Sequence, residues 1–238
     1  MRNKDANRPV IPALSLPALP VAGGGVFPVG RVICIGRNYA SHAREMGDDG
    51  RQPPFWFTKS LPAVAVAGGD SPREVAYPPH TTELHHEVEL VVALGGGGHG
   101  LAPNQTLGRV YGYAVGLDLT RRDLQRDAKR QGRPWSEAKD FDGAAPVGVI
   151  HPASVIGHPR EGRIQLEVNG EVRQRGDLSE LIWPVSDLLA RLSASLTLRP
   201  GDLIFTGTPA GVSAVEPGDV LVGTVEGVPS AVRVRIGE

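Results

Sequence analysis

The sequence has few features that would tie it to a membrane, a nucleic acid or an oxidising compartment. Cys34 is the single cysteine among 238 residues, which excludes an intramolecular disulfide and a thiolate metal cluster. The formal net charge of -1 gives no reason to expect nucleic acid or an anionic membrane as a partner. Prolines at positions 9, 12, 17 and 20 interrupt the apolar stretch that a signal peptide or membrane span would need. We therefore expect a cytoplasmic protein.

Glycine and proline, by contrast, are abundant, with 31 and 21 copies scattered along the chain. Such breakers cut the chain into short pieces and favour strands and turns over long helices. No repeat and no internal linker is visible. The sequence predicts a mostly-strand α+β fold, in which residues 1–25 form a proline-rich N-terminal arm and residues 26–238 form one domain.

Three local motifs predict particular turns and helix ends. Asn169-Gly170 follows an alternating segment and is the strongest short hairpin signal. Thr120 and Asp123 have the spacing of a capping box, for a helix that continues to about Gln131. Residues 186–198 carry leucines at helical spacing, and Ser186 is the expected N-cap of that helix.

Two glutamates, Glu87 and Glu89, lie at the start of an apolar run that ends at four consecutive glycines. The run predicts a buried strand, and residues i and i+2 of a strand point to the same face. Two adjacent carboxylates in a buried setting repel each other. Such a pair persists if it is solvated, protonated or bound to a cation, and a hard divalent metal is the most specific of these interpretations.

Asp118 is the natural third ligand, because it ends a second apolar strand just before a predicted helix. Three carboxylates form an all-oxygen site, which selects Mg²⁺ or Mn²⁺, with Ca²⁺ possible as a non-native occupant, over Zn²⁺. His85 and His86 compete as ligands, but they lack the usual spacing of a zinc ligand pair, so packing beside the site is favoured. A solvated acidic strand edge is the alternative.

Further candidates carry charge or hydroxyl groups. His42 and Glu45 share one face of a helical turn, where a carboxylate raises the basicity of an imidazole, although exposed helices commonly carry such pairs. Lys59 follows an aromatic run, and a cation beside a metal could bind a substrate carboxylate. The loop 206–211, which includes Thr208, could hold an anion through its backbone N–H groups and hydroxyls. Arg37, Arg121 and Arg122 are candidates for the same role. Lys139 follows Trp135, but a lone lysine is usually a solvated surface residue.

Taken together, these segments resemble the fumarylacetoacetate hydrolase family. The resemblance runs in family order from about residue 30 to the C-terminus and includes Ile35-Gly-Arg-Asn-Tyr39, His42-x-x-Glu45-Met46, Phe55-x-Phe57-x-Lys59, His85-His-Glu-Val-Glu-Leu90, Leu117-Asp-Leu-Thr-Arg-Arg-Asp-Leu-Gln125, Gly132-Arg-Pro-Trp135, Ala138-Lys139-x-Phe141-Asp142, Val168-Asn-Gly170 and Pro200-Gly-Asp-Leu-Ile-x-Thr-Gly-Thr-Pro-x-Gly211. The likeness is strongest to the short members that hydrolyse acylpyruvates, including fumarylpyruvate, and to the related oxaloacetate decarboxylases.

The resemblance implies a fold, an assembly and a set of roles. It implies a mixed β-sandwich roll with few short helices over residues 26–238, a homodimer, and a small 2-oxo acid as substrate. It also implies Mg²⁺ or Mn²⁺ at the three carboxylates, a base formed by His42 and Glu45, and a catalytic lysine at Lys139. Substrate contacts are expected from Arg37, Lys59, Arg122, Gln125 and Thr208.

Hydrolysis of fumarylpyruvate to fumarate and pyruvate during the breakdown of aromatic compounds is the predicted reaction. Decarboxylation of oxaloacetate, isomerisation or hydration of a related 2-oxo acid, and non-catalytic binding of 2-oxo acids remain alternatives. The chain departs from the family pattern twice. Ser60 follows Lys59 where the family has proline, and Gly143-Ala144-Ala145 precedes Pro146 where it has a serine or threonine, which leaves the identity of the substrate open.

Overall fold

The structure is a computed structural model that describes residues 10–12, 15–40 and 54–238. Its strands are β1 (Ala18–Pro20), β2 (Val26–Pro28), β3 (Arg31–Gly36), β4 (Phe55–Lys59), β5 (Val64–Val66), β6 (Arg73–Val75), β7 (Leu84–His85), β8 (Val88–Leu94), β9 (Val110–Leu117), β10 (Thr120–Arg121), β11 (Ala145–Val147), β12 (His151–Pro152), β13 (Arg163–Val168), β14 (Glu171–Asp177), β15 (Asp202–Phe205), β16 (Ala214–Val215), β17 (Val220–Val225) and β18 (Val228–Ile236).

Short helices connect the strands. The α-helices are α1 (Pro103–Thr106), α2 (Arg122–Gln131), α3 (Ser136–Lys139), α4 (Ala153–Ile156) and α5 (Val185–Ser195), and 3₁₀ turns span Leu61–Ala63, Leu107–Arg109 and Leu178–Glu180. The predicted mostly-strand α+β fold is therefore confirmed. Among the described residues, no helix is long and apolar enough to cross a membrane.

Two large sheets enclose the core. The first has eight strands, with β4-β3-β15-β8-β9-β11-β5 in order and β12 beside β9, and the second has the order β14-β13-β17-β18-β6. Gly223 of β17 lies where the sheets meet, since a Cβ there would come within 3.0 Å of Val88 and 3.5 Å of Val115. All seven residues of β8 are buried, so this central strand carries its N-terminal residues into the interior.

Two small sheets complete the architecture. β10-β7-β16 form a three-stranded sheet at the start of β8, and β1 pairs with β2. The predicted division at residue 25 falls in the turn between β1 and β2, and Leu19 is fully buried. The division into an arm and a domain stays a prediction.

The hairpin at Asn169-Gly170 is confirmed. β13 and β14 pair on either side of it, and both turn residues have a positive φ, of 53° and 82°. This left-handed geometry matches the twist of the flanking strands, and Asn and Gly adopt it more readily than other residues. The return strand β14 continues to Asp177.

Both predicted helix starts are wrong. α2 begins at Arg122 without a side-chain cap, because the Asp123 carboxylate instead accepts hydrogen bonds from Thr81 Oγ1 at 2.5 Å and Thr82 N at 2.9 Å. α5 begins at Val185 with Pro184 as its N-cap, so Ser186 lies inside the first turn. The predicted end of α2 is confirmed, since Gly132 terminates it with a φ of 64°.

Candidate metal and catalytic site

Three carboxylates converge where β8 begins and β9 ends. β8 and β9 are antiparallel neighbours, so the residue after β9 lies beside the residue before β8. Asp118 N donates a 2.8 Å hydrogen bond to the carbonyl of Glu87, which fixes this approach. One carboxylate oxygen from each of Glu87, Glu89 and Asp118 lies within 4.8 Å of the others, and all three residues are buried.

Two lysines hold these carboxylates from one side. Lys139 Nζ lies 2.7 Å from Glu87 Oε2 and 2.8 Å from Asp118 Oδ2, because the short helix α3 brings it beneath both groups. Lys59 Nζ, at the end of β4, lies 2.8 Å from Asp118 Oδ1 and donates to the carbonyls of Leu119 and Lys139. Lys59 thus donates two hydrogen bonds to backbone carbonyls and forms an ion pair with Asp118.

Arg122 completes the charge balance. Its guanidinium contacts Glu87 Oε1 and also donates to Gln125 Oε1. Three buried cations thus face three buried carboxylates, and their formal charges cancel. A divalent cation would raise the net charge of the cluster to about +2, which suits an anionic ligand.

The electrostatics of the cluster differ from group to group. Burial, and then the neighbouring Asp118 and Glu87, raise the pKa of Glu89 well above its ordinary value, although the Gly207 N–H donates a 2.6 Å hydrogen bond to it. Burial alone would lower the pKa of Lys139, but Asp118 and Glu87 outweigh it and raise that pKa. Lys139 therefore stays protonated. Of the three carboxylates, Glu89 has the least stabilisation of its negative charge by neighbouring cations.

The residues present fit a divalent metal. Every donor in the cluster is a carboxylate oxygen, the hard ligand that Mg²⁺, Mn²⁺ and Ca²⁺ prefer. Asp118 Oδ1 is fully buried and, within the described residues, receives no well-directed hydrogen bond even though Lys59 lies near. A cation would satisfy such an oxygen. Within the described ranges, the group that could hold a metal includes no histidine.

The two histidines before Glu87 lie beside the cluster. His86 is fully buried, with Nδ1 2.9 Å from Gln174 Oε1 and Nε2 2.9 Å from Ser213 Oγ. His85 Nδ1 lies 3.4 Å from Arg122 Nε, and burial followed by the charge of Arg122 lowers the pKa of His85 to about 4. Both rings are therefore neutral near pH 7, as a packing role requires.

Gln174 is a residue that the sequence reasoning missed. It is the one fully buried residue of β14, and its Oε1 accepts from Val88 N at 3.0 Å while its Nε2 donates to Thr208 Oγ1 at 2.8 Å and Pro209 O at 2.9 Å. These bonds tie β8, the strand that carries Glu89, to the loop 206–211. Its position in the polar half of a hairpin gave no local signal for this role.

The loop 206–211 packs directly against the carboxylates. Thr208 Oγ1 donates to the carbonyl of Val88 at 2.8 Å and accepts from Gln174, so its hydroxyl proton is already in use. Gly207 has a φ of 102°, and a Cβ there would lie 2.8 Å from Asn38 Cβ. The loop therefore needs glycine at this point to approach Asn38, which follows β3, closely.

A narrow cavity of about 20 Å³ opens onto the cluster. Eight of the predicted site residues line it: Arg37, Glu87, Glu89, Asp118, Arg122, Gln125, Lys139 and Thr208. Lys59 lies behind Asp118, where it holds that carboxylate. His42 and Glu45 lie outside the described residues.

Trp135 also lines the cavity, a role that its place in the Gly132-Arg-Pro-Trp135 motif did not predict. It precedes α3, its carbonyl accepts a hydrogen bond from the amide of Lys139 at 2.9 Å, and its ring packs edge-on against Phe55.

Ser60, one of the two departures from the family pattern, donates through N and Oγ to Asp140 Oδ1 at 2.8 Å each. This serine therefore joins the end of β4 to the residue after Lys139.

Comparison with known proteins agrees with this geometry. The family model described as fumarylacetoacetate (FAA) hydrolase C-terminal matches residues 31–235. The chain is 45% identical to a fumarylpyruvate hydrolase of Ralstonia sp over 181 residues, which is 76% of this chain and 92% of that protein. It is 41% identical to the mitochondrial oxaloacetate tautomerase FAHD1 of Rattus norvegicus over 199 residues, 84% of this chain and 88% of that one.

Among solved structures, the crystal structure of fumarylpyruvate hydrolase from Pseudomonas aeruginosa in complex with Mn²⁺ and pyruvate superposes with a TM-score of 0.94 at 48% identity. The superposition covers 97% of this chain and 99% of that one. The family model, the two relatives and the solved structure all match this chain over most of its length. The chain therefore belongs to the fumarylacetoacetate hydrolase family.

Proposed function

We propose that this protein hydrolyses the C–C bond of a 3-acylpyruvate, with fumarylpyruvate as the substrate, and that Glu87, Glu89 and Asp118 hold the Mg²⁺ or Mn²⁺ it needs. The observation that carries the proposal is the buried cluster of three carboxylates with the Lys139 ammonium bonded between two of them. The relatives named fumarylpyruvate hydrolase support the choice of substrate. A cytoplasmic homodimer and a role in aromatic catabolism belong to the same proposal and rest on the family resemblance.

When bound, the metal supplies Lewis acidity toward the carboxylate and keto oxygens of a 2-oxo acid. Lys139 is the group that stabilises the enolate oxygen as pyruvate leaves, since it is cationic, buried and already fixed by two carboxylates. Arg122 and Gln125 line the same cavity and hold the carboxylate of the 2-oxo acid. Burial of these groups strengthens each charge interaction by excluding water.

The proton transfer is assigned to His42, oriented by Glu45. His42 takes a proton from a water molecule, and the hydroxide adds to the carbonyl carbon of the acyl group. The bond between that carbon and C3 of the pyruvate unit then breaks, and its electron pair forms the enolate. Protonation at C3 gives pyruvate, and the acyl group leaves as a carboxylic acid.

Replacing His42 with alanine is expected to lower kcat for fumarylpyruvate by about a hundredfold, because the attacking water loses its base. Steady-state kinetics measures the rate, and calorimetric titration with Mn²⁺ measures the metal affinity, which stays unchanged. His99→Ala, a change at an exposed histidine, is the matched control and retains wild-type kinetics. An unaltered rate in the His42 variant would refute the assignment of the base.

Oxaloacetate tautomerisation is a second candidate, because a relative with that name is 41% identical to this chain. That reaction moves a proton between C3 and the keto oxygen of oxaloacetate, and needs the same enolate stabilisation but no attacking water. The two functions therefore differ in whether a C–C bond breaks.

A substrate panel separates them. Protein freed of metal by EDTA and then supplied with Mg²⁺ or Mn²⁺ is assayed with fumarylpyruvate, acetylpyruvate and oxaloacetate, and products are identified by chromatography. We expect metal-dependent release of fumarate from fumarylpyruvate with the highest kcat/KM of the panel. Enol–keto exchange of oxaloacetate without any cleavage of an acylpyruvate would overturn the hydrolase proposal in favour of the tautomerase.

A further inference from the structure

Arg37 holds a backbone conformation that is costly for its residue type. Its φ is 57°, in the left-handed region, and among the described non-glycine residues it shares a positive φ with His80 and Asn169. Asparagine tolerates this region, and His80 is exposed and lies outside the cavity, whereas Arg37 lines the candidate site. Backbone strain of this kind persists where the surrounding structure imposes it, often at ligand clamps.

The surrounding structure does impose it. β3 pairs with β15 as far as Cys34 and with β4 as far as Gly36, and the next anchor is Asn38, which is fully buried. The Asn38 side chain donates to Thr206 O at 2.8 Å and to Trp183 O at 3.1 Å, and accepts from Trp183 N at 2.8 Å. Arg37 therefore turns between two fixed points, which hold its backbone in this conformation.

A row of aromatic rings joins this arginine to the carboxylate cluster. Lys139 Nζ lies 5.2 Å from the centroid of Phe57, and the Phe57 and Trp135 rings are 6.2 Å apart. Trp135 in turn lies 5.2 Å from Phe55, and Arg37 Cζ lies 5.7 Å from the Phe55 ring. The row thus has the cluster at one end and the Arg37 guanidinium at the other.

The other predicted substrate-binding cations lie at the cluster end. Lys59 forms an ion pair with Asp118 and donates to two carbonyls, and Arg122 contacts Glu87 directly. A 2-oxo acid held at the carboxylate cluster would extend its acyl group along the aromatic row, since Phe57 and Trp135 line the same cavity. Among the described residues that line the cavity, Arg37 is the cation at the other end of the row, where the far end of such an acyl group would lie.

We propose that Arg37 determines specificity for substrates with a second carboxylate, which it binds at the far end of the acyl group while the rings of Phe57 and Trp135 pack against the planar chain between. This inference rests on the proposed function, because it takes the 2-oxo acid to be bound at the cluster. An Arg guanidinium binds a carboxylate through charge-assisted hydrogen bonds that strengthen binding by about ten- to a hundredfold.

Two probes of equal length test the proposal without turnover. 2-Oxoheptanedioate has the seven carbons and both carboxylates of fumarylpyruvate but no second keto group to attack, and 2-oxoheptanoate lacks the remote carboxylate. Calorimetry with the Mn²⁺-loaded protein measures both dissociation constants. We expect the wild type to bind the dicarboxylate at least about tenfold more tightly, and Arg37→Gly to bring the ratio of the two constants close to one.

Glycine is chosen because it accepts the left-handed conformation, so the melting temperature of the Arg37→Gly variant should stay within about 2 °C of wild type. His80→Gly makes the same exchange at a φ of 60° outside the cavity and keeps the wild-type ratio. A wild type that binds both probes equally, or an Arg37→Gly variant that keeps the preference, overturns the inference. Failure of the wild type to bind either probe removes the proposed function together with it.

Discussion

Replacing Lys139 with methionine is expected to slow turnover of fumarylpyruvate about a thousandfold while tightening the binding of Mn²⁺ about tenfold. The two effects have one origin. Lys139 is the cation bonded to both Glu87 and Asp118, at 2.7 and 2.8 Å. In the proposed mechanism it supplies positive charge to the reacting enolate, and the same charge opposes a metal ion at the same carboxylates.

Methionine preserves the length of the side chain and its packing near Phe57, so the change is mainly electrostatic. Without Lys139, three carboxylates face two cations, and the excess negative charge favours the metal. Steady-state kinetics and calorimetric titration measure the two quantities. Lys129→Met, at an exposed position of α2, is the matched control and alters neither. Metal affinity that falls in the Lys139 variant would show that this lysine supports the metal site instead of competing with it.

The parts of the site that could be predicted are those whose geometry is local. Glu87 and Glu89 are two residues apart in an extended segment, so the two-residue period of a strand predicts that their side chains share one face. Asp118 directly follows an apolar strand, and strand ends are where side chains reach a cleft. The hairpin at Asn169-Gly170 was equally local, because its turn type follows from two residues.

The parts that could not be predicted depend on contacts between distant segments. Lys59 reaches Asp118 across 59 positions of sequence, and Gln174 reaches Val88 across 86, without a periodic pattern in either case. The failed capping box at Asp123 has the same cause, since Thr81 and Thr82 from a distant loop took the carboxylate that the local motif assigned to its own helix. Long-range hydrogen bonding outweighed local preference at each of these positions.

Replacing Glu89 with glutamine is expected to weaken Mn²⁺ binding on the order of a thousandfold and to stabilise the metal-free protein by about 1–3 kcal/mol. Glu89 is almost fully buried, and burial together with Asp118 and Glu87 raises its pKa. Its negative charge is therefore unfavourable unless a metal is bound. Glutamine keeps an oxygen that accepts the Gly207 N–H, and its amide donates toward the neighbouring carboxylates.

Chemical denaturation in EDTA measures the free energy of unfolding of the metal-free protein, and calorimetry measures the affinity for Mn²⁺. Glu167→Gln, on the half-buried face of β13 away from the cluster, is the matched control and changes both quantities little. A Glu89→Gln protein that is less stable than wild type in EDTA would mean that Glu89 is needed for folding itself. A Glu89→Gln protein that is more stable in EDTA but binds Mn²⁺ more weakly would show that the carboxylate destabilises the fold and is retained because the metal requires it.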